Sequence, residues 1–147
     1  MTNLFLDTNI VVDLLEQREP YCYDAMQLFT MAHNKQVRLY ISPMTYATAA
    51  FLLHKHGADD VHQLLSNLRS LTHVTPADEH TVDDALASQF DDFEDALQYY
   101  SALQANADII ISRNGKDFTH SNLPVVTAGE YLTIYSHNPN SQDPPNI

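Results

Sequence analysis

Leu4-Phe5-Leu6 is an apolar run that stops at an acid, Asp7, and a second apolar run follows Thr8 and Asn9. The first run predicts a short buried strand with Asp7 at its C-terminal end. Ile10, Val11, Leu14 and Leu15 then recur at helical spacing, so a helix follows, with Thr8 or Asn9 as its cap. Further along, Ala25, Leu28, Phe29 and Ala32 predict a second helix over Tyr21–Asn34, opened by the break at Glu19-Pro20. Gln36–Ile41 reads as a second strand. Pro43 after Ser42 suits the first position of a third helix, which runs to about His56 and ends at Gly57. A fourth helix covers Asp59–Leu68, and Leu71–Val74 is a third strand. Thr75-Pro76 is expected to open a fifth helix reaching about Phe90, with Thr75 as its cap. Phe93, Ala96, Leu97, Tyr100 and Leu103 line one face of a sixth. Asp108–Ser112 is a continuous β-branched run and the clearest buried strand. Leu123–Val126 is a fifth strand, and Thr127 caps a last helix ending near Tyr135.

Strands alternating with helices predict an α/β fold with a parallel sheet covered on both faces. In such sheets ligands bind at the carboxyl ends of the strands. That edge gathers Asp7, Ser42 and Ser112 with its loop.

Composition narrows the setting. A chain of 147 residues is most simply one domain. One cysteine, Cys22, excludes an internal disulfide framework and fits a reducing compartment. Met1-Thr2-Asn3 lacks the basic start of a signal peptide, and no apolar run approaches membrane-spanning length. A cytoplasmic protein without a membrane partner is expected. The net charge of −12 argues against a broad basic surface for nucleic acid, but not against a metal site. No Lys or Arg falls between Ser70 and Ser112, where nine acids do.

Part of that acidic run is ordinary helix chemistry. Asp78 and Glu79 suit a first turn and need no function. Asp92 and Asp95 stand three apart at the start of the sixth helix, where capping preference alone explains them as cap and first-turn acid, and where they can also share a face as a pair. Asn114 and Asp117 follow the strongest strand in a loop that should reach the same edge as Asp7. Acids from three distant parts of the chain thus converge on one sheet edge. Carboxylates so gathered favour a hard cation such as Mg²⁺, which takes one or two of them together with waters and phosphate oxygens. Arg113 and Lys116, in the same loop, are placed to meet a phosphate.

The order Leu6-Asp7-Thr8-Asn9, then Ser42-Pro43 leading into an apolar helix, then Asp92-Phe93-Glu94-Asp95-Ala96-Leu97-Gln98, then Ile110 to Phe118, resembles a PIN domain. It is most similar to the toxin ribonucleases of bacterial VapBC toxin–antitoxin pairs. The resemblance covers residues 1–135, the PIN-like domain, and leaves 136–147 as a flexible polar tail. It implies a three-layer α/β/α sandwich with a central five-stranded parallel sheet. It also implies a Mg²⁺- or Mn²⁺-dependent endoribonuclease, with RNA as substrate, an antitoxin protein as partner and a homodimer as assembly. By motif match Asp7, Asp95 and Asp117 are the catalytic, metal-holding acids. Thr8, Asn9, Asp92, Arg113 and Asn114 support them, as does Thr48, which is placed to hold a metal-bound water. The chain departs from the family at the second acid, usually a Glu near Thr48. Thr48 brings no charge there, so Asp91, Asp92 or Glu94 compensates, or the chain is a weakened or inactive PIN-fold binding protein.

Other classes fit less well. A haloacid-dehalogenase-type phosphatase needs a second Asp where this chain has Asn9. A receiver domain needs an Asp ending a central strand where Ser42 and Thr75 stand. Three glycines make no phosphate loop, and the scattered histidines with one cysteine give no zinc spacing.

Overall fold

A computed structural model describes residues 1–137. Its strands are β1 (Thr2–Leu6), β2 (Val37–Ile41), β3 (His73–Val74), β4 (Ile109–Ile111) and β5 (Val125–Val126). Its helices are α1 (Thr8–Leu15), α2 (Tyr21–His33), α3 (Pro43–Lys55), α4 (Val61–Ser70), α5 (Glu79–Ala87), α6 (Phe93–Gln104) and α7 (Ala128–His137), with a 3₁₀ turn over Gly115–Phe118.

All five strands are parallel, in the order β3-β2-β1-β4-β5. Side chains alternate across a pleated strand, and both faces of this sheet are covered. Leu4 and Leu6 of β1, with Ile109 and Ile111 of β4, pack with α1, α2 and α7. Phe5 and Ile110 point the other way, against Tyr99 and Ala102 of α6 and Phe118. The register Leu4↔Ile109, Phe5↔Ile110, Leu6↔Ile111 keeps the two sets on separate faces. A one-residue slip would exchange them. The layered α/β reading therefore holds, and Cys22 is a buried helix residue.

Chain connections run outward from β1 in both directions, to β2 and β3 on one side and to β4 and β5 on the other. Such a reversal opens a crevice beyond the carboxyl ends of the central strands. Asp7 and Ser112 are the residues that follow β1 and β4 there.

Several helix starts are as expected. The Ser42 hydroxyl accepts from the Thr45 N–H, with Pro43 in the first turn, and Gly57 (φ +75°) follows the end of α3 in the left-handed region. Two starts differ. Asp7, not Thr8 or Asn9, caps α1 by accepting from the Thr8 N–H. The cap of α5 is Asp78, not Thr75: Asp78 and Thr81 form a reciprocal capping box, and the helix ends at Ala87. Thr75 instead extends the sheet, donating its N–H to the Ile41 carbonyl at 2.9 Å. Similarly α4 begins at Val61, behind an Asp60 cap. The tail expected at 136–147 meets the end of α7 at His137, and its remainder lies outside the described residues.

Candidate functional site

Asp7 is held from several elements at once. One carboxylate oxygen accepts from the Thr8 N–H at 2.8 Å and lies 3.4 Å from the Gln98 amide nitrogen. The other accepts from the Ser112 hydroxyl at 2.8 Å and lies 3.4 Å from the Asn9 amide nitrogen. The Asp7 N–H donates to the Ile111 carbonyl at 2.9 Å, which ties the acid to the end of β4. These donors explain how a carboxylate only 8% exposed stays in place.

Behind it lies a buried polar network. Gln98, on α6, is buried and accepts from the Ser42 hydroxyl. Its amide nitrogen stands 3.2 Å from each of the Thr8 and Thr45 hydroxyl oxygens, which are themselves 2.8 Å apart. The network joins the ends of β1 and β2 to α6, and so sets where α6 begins relative to Asp7.

In front of Asp7 is an open cleft of about 270 Å³. Carboxylates of Asp7, Glu94, Asp95 and Asp117 line it, with Thr8, Asn9, Thr48 and Asn114 between them. The structure thus brings together seven of the nine residues expected at the site. Asp92 is not among the lining residues: it caps α6, accepting from the Asp95 N–H at 3.1 Å. Arg113 is turned away as well. Its Nε and Nη2 donate to both oxygens of Asp13, at 2.7 and 3.0 Å, and its guanidinium lies 4.0 Å from the centre of the Tyr21 ring. Lys116 does not line the cleft either. The cation at its edge is Arg18, whose Nη2 pairs with Glu16 at 3.0 Å.

Sequence reasoning missed Asp13, Arg18 and Gln98. An acid inside the apolar run Ile10–Leu15 was the available signal for Asp13, which is 1% exposed and needs a buried counter-ion. Arg18 gave no signal, because only the chain's fold at α1 returns it to the sheet edge. The Asp13 hydrogen bonds hold the Arg113 guanidinium still more firmly protonated than usual.

The cleft is electrostatically unbalanced. Burial, and then the neighbouring carboxylates of Asp92, Asp117, Asp7 and Glu94, push the Asp95 carboxyl up to about 7. A group whose value is raised by folding holds its proton more tightly in the folded chain. Its contribution to stability is complete below pH about 4 and is lost as pH rises towards about 7. In EDTA, thermal or urea unfolding is therefore expected to show stability falling across that window. Asp95→Asn should flatten the slope and stabilise the protein at pH 7 by about 1 kcal/mol once solvent screening is discounted. An Asp95→Asn variant with the parent's pH slope would show that the repulsion is not felt.

Among the described residues no three His, Cys, Asp or Glu side chains form a ready-made metal cage. A hard cation such as Mg²⁺ takes oxygen ligands and keeps several waters. The donor set fits: oxygen ligands alone, in an open cleft with excess negative charge.

The family model described as "PIN domain" matches residues 3–116. No curated protein matches the chain. Among solved structures, VapBC2 from Rickettsia felis, bound to a promoter DNA fragment, is similar at a TM-score of 0.62 and 17% identity, covering 84% of this chain and 97% of that one. A toxin–antitoxin complex from Klebsiella pneumoniae is similar at 0.62 and 23% identity, covering 85% and 97%. VapC20 from Mycobacterium tuberculosis, a toxin described as cleaving the sarcin-ricin loop, is similar at 0.63 and 14% identity, covering 80% and 94%. The five-stranded parallel sheet is the fold these structures share, and with the family model spanning most of its length the chain belongs to the PIN domain family.

Proposed function

We propose that this chain is a Mg²⁺- or Mn²⁺-dependent endoribonuclease and the toxin of a toxin–antitoxin pair. The observation that carries the reading is the cleft itself: Asp7, Glu94, Asp95 and Asp117 line one opening at the carboxyl ends of β1 and β4. Asp7, Asp95 and Asp117 would hold the cation. When bound, it lowers the pKa of a bound water and stabilises charge on phosphoryl oxygens. The chain's own residues do the positioning. The Ser112 hydroxyl and the Thr8 N–H each hold one oxygen of Asp7, which fixes the carboxylate at the cleft. Asp95, crowded by its neighbours, binds a proton more tightly than an ordinary carboxyl and would have to release it to serve as a ligand. Arg18, although paired with Glu16, is the positive side chain at the edge of the cleft and would meet a substrate phosphate there.

An antitoxin partner and a homodimer come with the toxin reading, as does a cytoplasmic setting. Among the described residues no helix is long and apolar enough to cross a membrane. Thr48 favours a second reading. It lines the cleft without a charge where the family usually has an acid, as a PIN-fold binding protein with lost or weakened catalysis would. Glu94, in the same lining, is the acid that compensates under the first reading.

Calorimetric titration with Mg²⁺ and Mn²⁺, beside an RNA-cleavage assay, tests this. Millimolar or tighter cation binding, and cleavage that EDTA stops, are expected. A folded protein that binds neither cation would leave the second reading standing. Glu94→Gln should weaken cation affinity about 10-fold or more if Glu94 replaces the missing acid.

A further inference from the structure

The opposite end of the sheet carries a cleft of reversed character. It has a volume of about 560 Å³ and lies at the start of β2, beside the C-terminal ends of α2 and α4. Lys35, Arg38 and Arg69 line it with His33 and His73, and no Asp or Glu does. Three of the chain's seven Lys and Arg residues thus meet in one place, on a protein with nineteen Asp and Glu. None of the three has an acidic ion-pair partner among the described residues. Arg38 reaches only the Asn3 side-chain oxygen, at 3.4 Å, and Arg69 the Thr72 carbonyl, at 2.7 Å.

Helix ends explain part of this, since a cation near a helix C-terminus is favourable. That accounts for Arg69 at the end of α4 and Lys35 just past α2. It does not account for Arg38, which projects from strand β2, or for the exclusion of every acid. The ring of the exposed His73 lines the cleft; it is held by stacking on Tyr40 behind the lining, with ring centres 5.0 Å apart and planes 28° from parallel. Unpaired cations beside a stacked aromatic face are what single-stranded nucleic acids bind, phosphates on the charges and a base on the ring. An acidic peptide would use the charges and leave the rings idle.

We propose that this cleft is a second contact site for single-stranded RNA, holding phosphates of the strand away from the acidic cleft. Thr2 of β1 pairs with Val37 at the basic end, and Asp7 follows β1 at the other, so the two clefts are about 17 Å apart along the strand at about 3.3 Å per residue. A net-negative nuclease needs such a site, because its acidic cleft repels RNA until a cation is bound. The identity of the strand as substrate rests on the ribonuclease reading, but the binding does not.

The test is fluorescence anisotropy of a labelled mixed-sequence oligoribonucleotide in EDTA, where no cleavage occurs, across a range of salt. All three cations are exposed, so Lys35→Gln/Arg38→Gln/Arg69→Gln should fold normally, which circular dichroism checks. Affinity is expected to fall about 10-fold, and the slope of log affinity against log salt to flatten by about 2. Asp7→Asn should bind no more weakly than the parent. Unchanged affinity and slope in the triple variant would overturn the site. So would displacement of RNA by polyglutamate at equal charge, or by millimolar inorganic phosphate, which would make it a site for a protein segment or a small anion. Cleavage with Mn²⁺ is scored separately: a protein that loses RNA through the triple variant yet cleaves nothing keeps this site and loses the nuclease assignment.

Discussion

Arg113→Ala is expected to lower the stability of the fold by about 3 kcal/mol, at the low end of the range for breaking a buried ion pair. Asp13 is 1% exposed, and its two oxygens take Nε and Nη2 of Arg113 in a fork. Without the guanidinium a charge remains buried, with only Arg18 at 3.9 Å to balance it. The contact with the Tyr21 ring would go as well, worth about 0.5–1 kcal/mol. Denaturant unfolding should register the loss, and the melting temperature should fall by about 6–12 °C. A different outcome is expected when both partners go. Asp13→Leu/Arg113→Met removes the charge together with its counter-ion and should recover most of the loss, because a well-packed apolar pair replaces a buried ion pair at little cost. A single variant within about 1 kcal/mol of the parent would mean that water reaches Asp13 and the pair carries little.

Asp7→Asn should reduce RNA cleavage by more than about 100-fold, since even the partners of metal ligands are worth about 10–100-fold. Its effect on the fold is smaller but not zero. Asn caps a helix about as well as Asp, so the start of α1 survives. The second oxygen becomes an NH₂, however, and every neighbour of that carboxylate is a donor: the Thr8 N–H, the Ser112 hydroxyl and the amides of Asn9 and Gln98. One of them loses an acceptor, at about 1–2 kcal/mol. Cleavage kinetics beside urea unfolding separate the two effects. A variant that keeps parental turnover would remove Asp7 from the reaction and leave it a cap.

Much of this was legible from apolar spacing. The run of isoleucines at 109–111, the apolar run of β1 and its break after Leu6 each state a local fact that the sheet then uses. Asp7 and Asp117 could be placed together because strand ends in a parallel sheet share an edge; Asp95, in the first turn of α6, follows no strand, and its place came with the family resemblance. What could not be read were the pairings across the chain. Nothing near Arg113 says that its partner lies 100 residues earlier, or that this partner turns it away from the cleft. The three cations at 35, 38 and 69 look scattered in order and meet only once β2 and α4 are in place. Thr75 misled for a local reason: Thr-Pro reads as a helix start, but a backbone bond to Ile41 prolongs the sheet and delays the helix to Asp78.

The hydroxyl that fixes Asp7 belongs to Ser112, 105 residues later. On a ribosome this is a delay. At about 5–20 residues per second, the first acid emerges some 5–20 s before the strand that orients it. A growing chain therefore carries no complete cleft until Ser112 and Asp117 have followed Asp7 out.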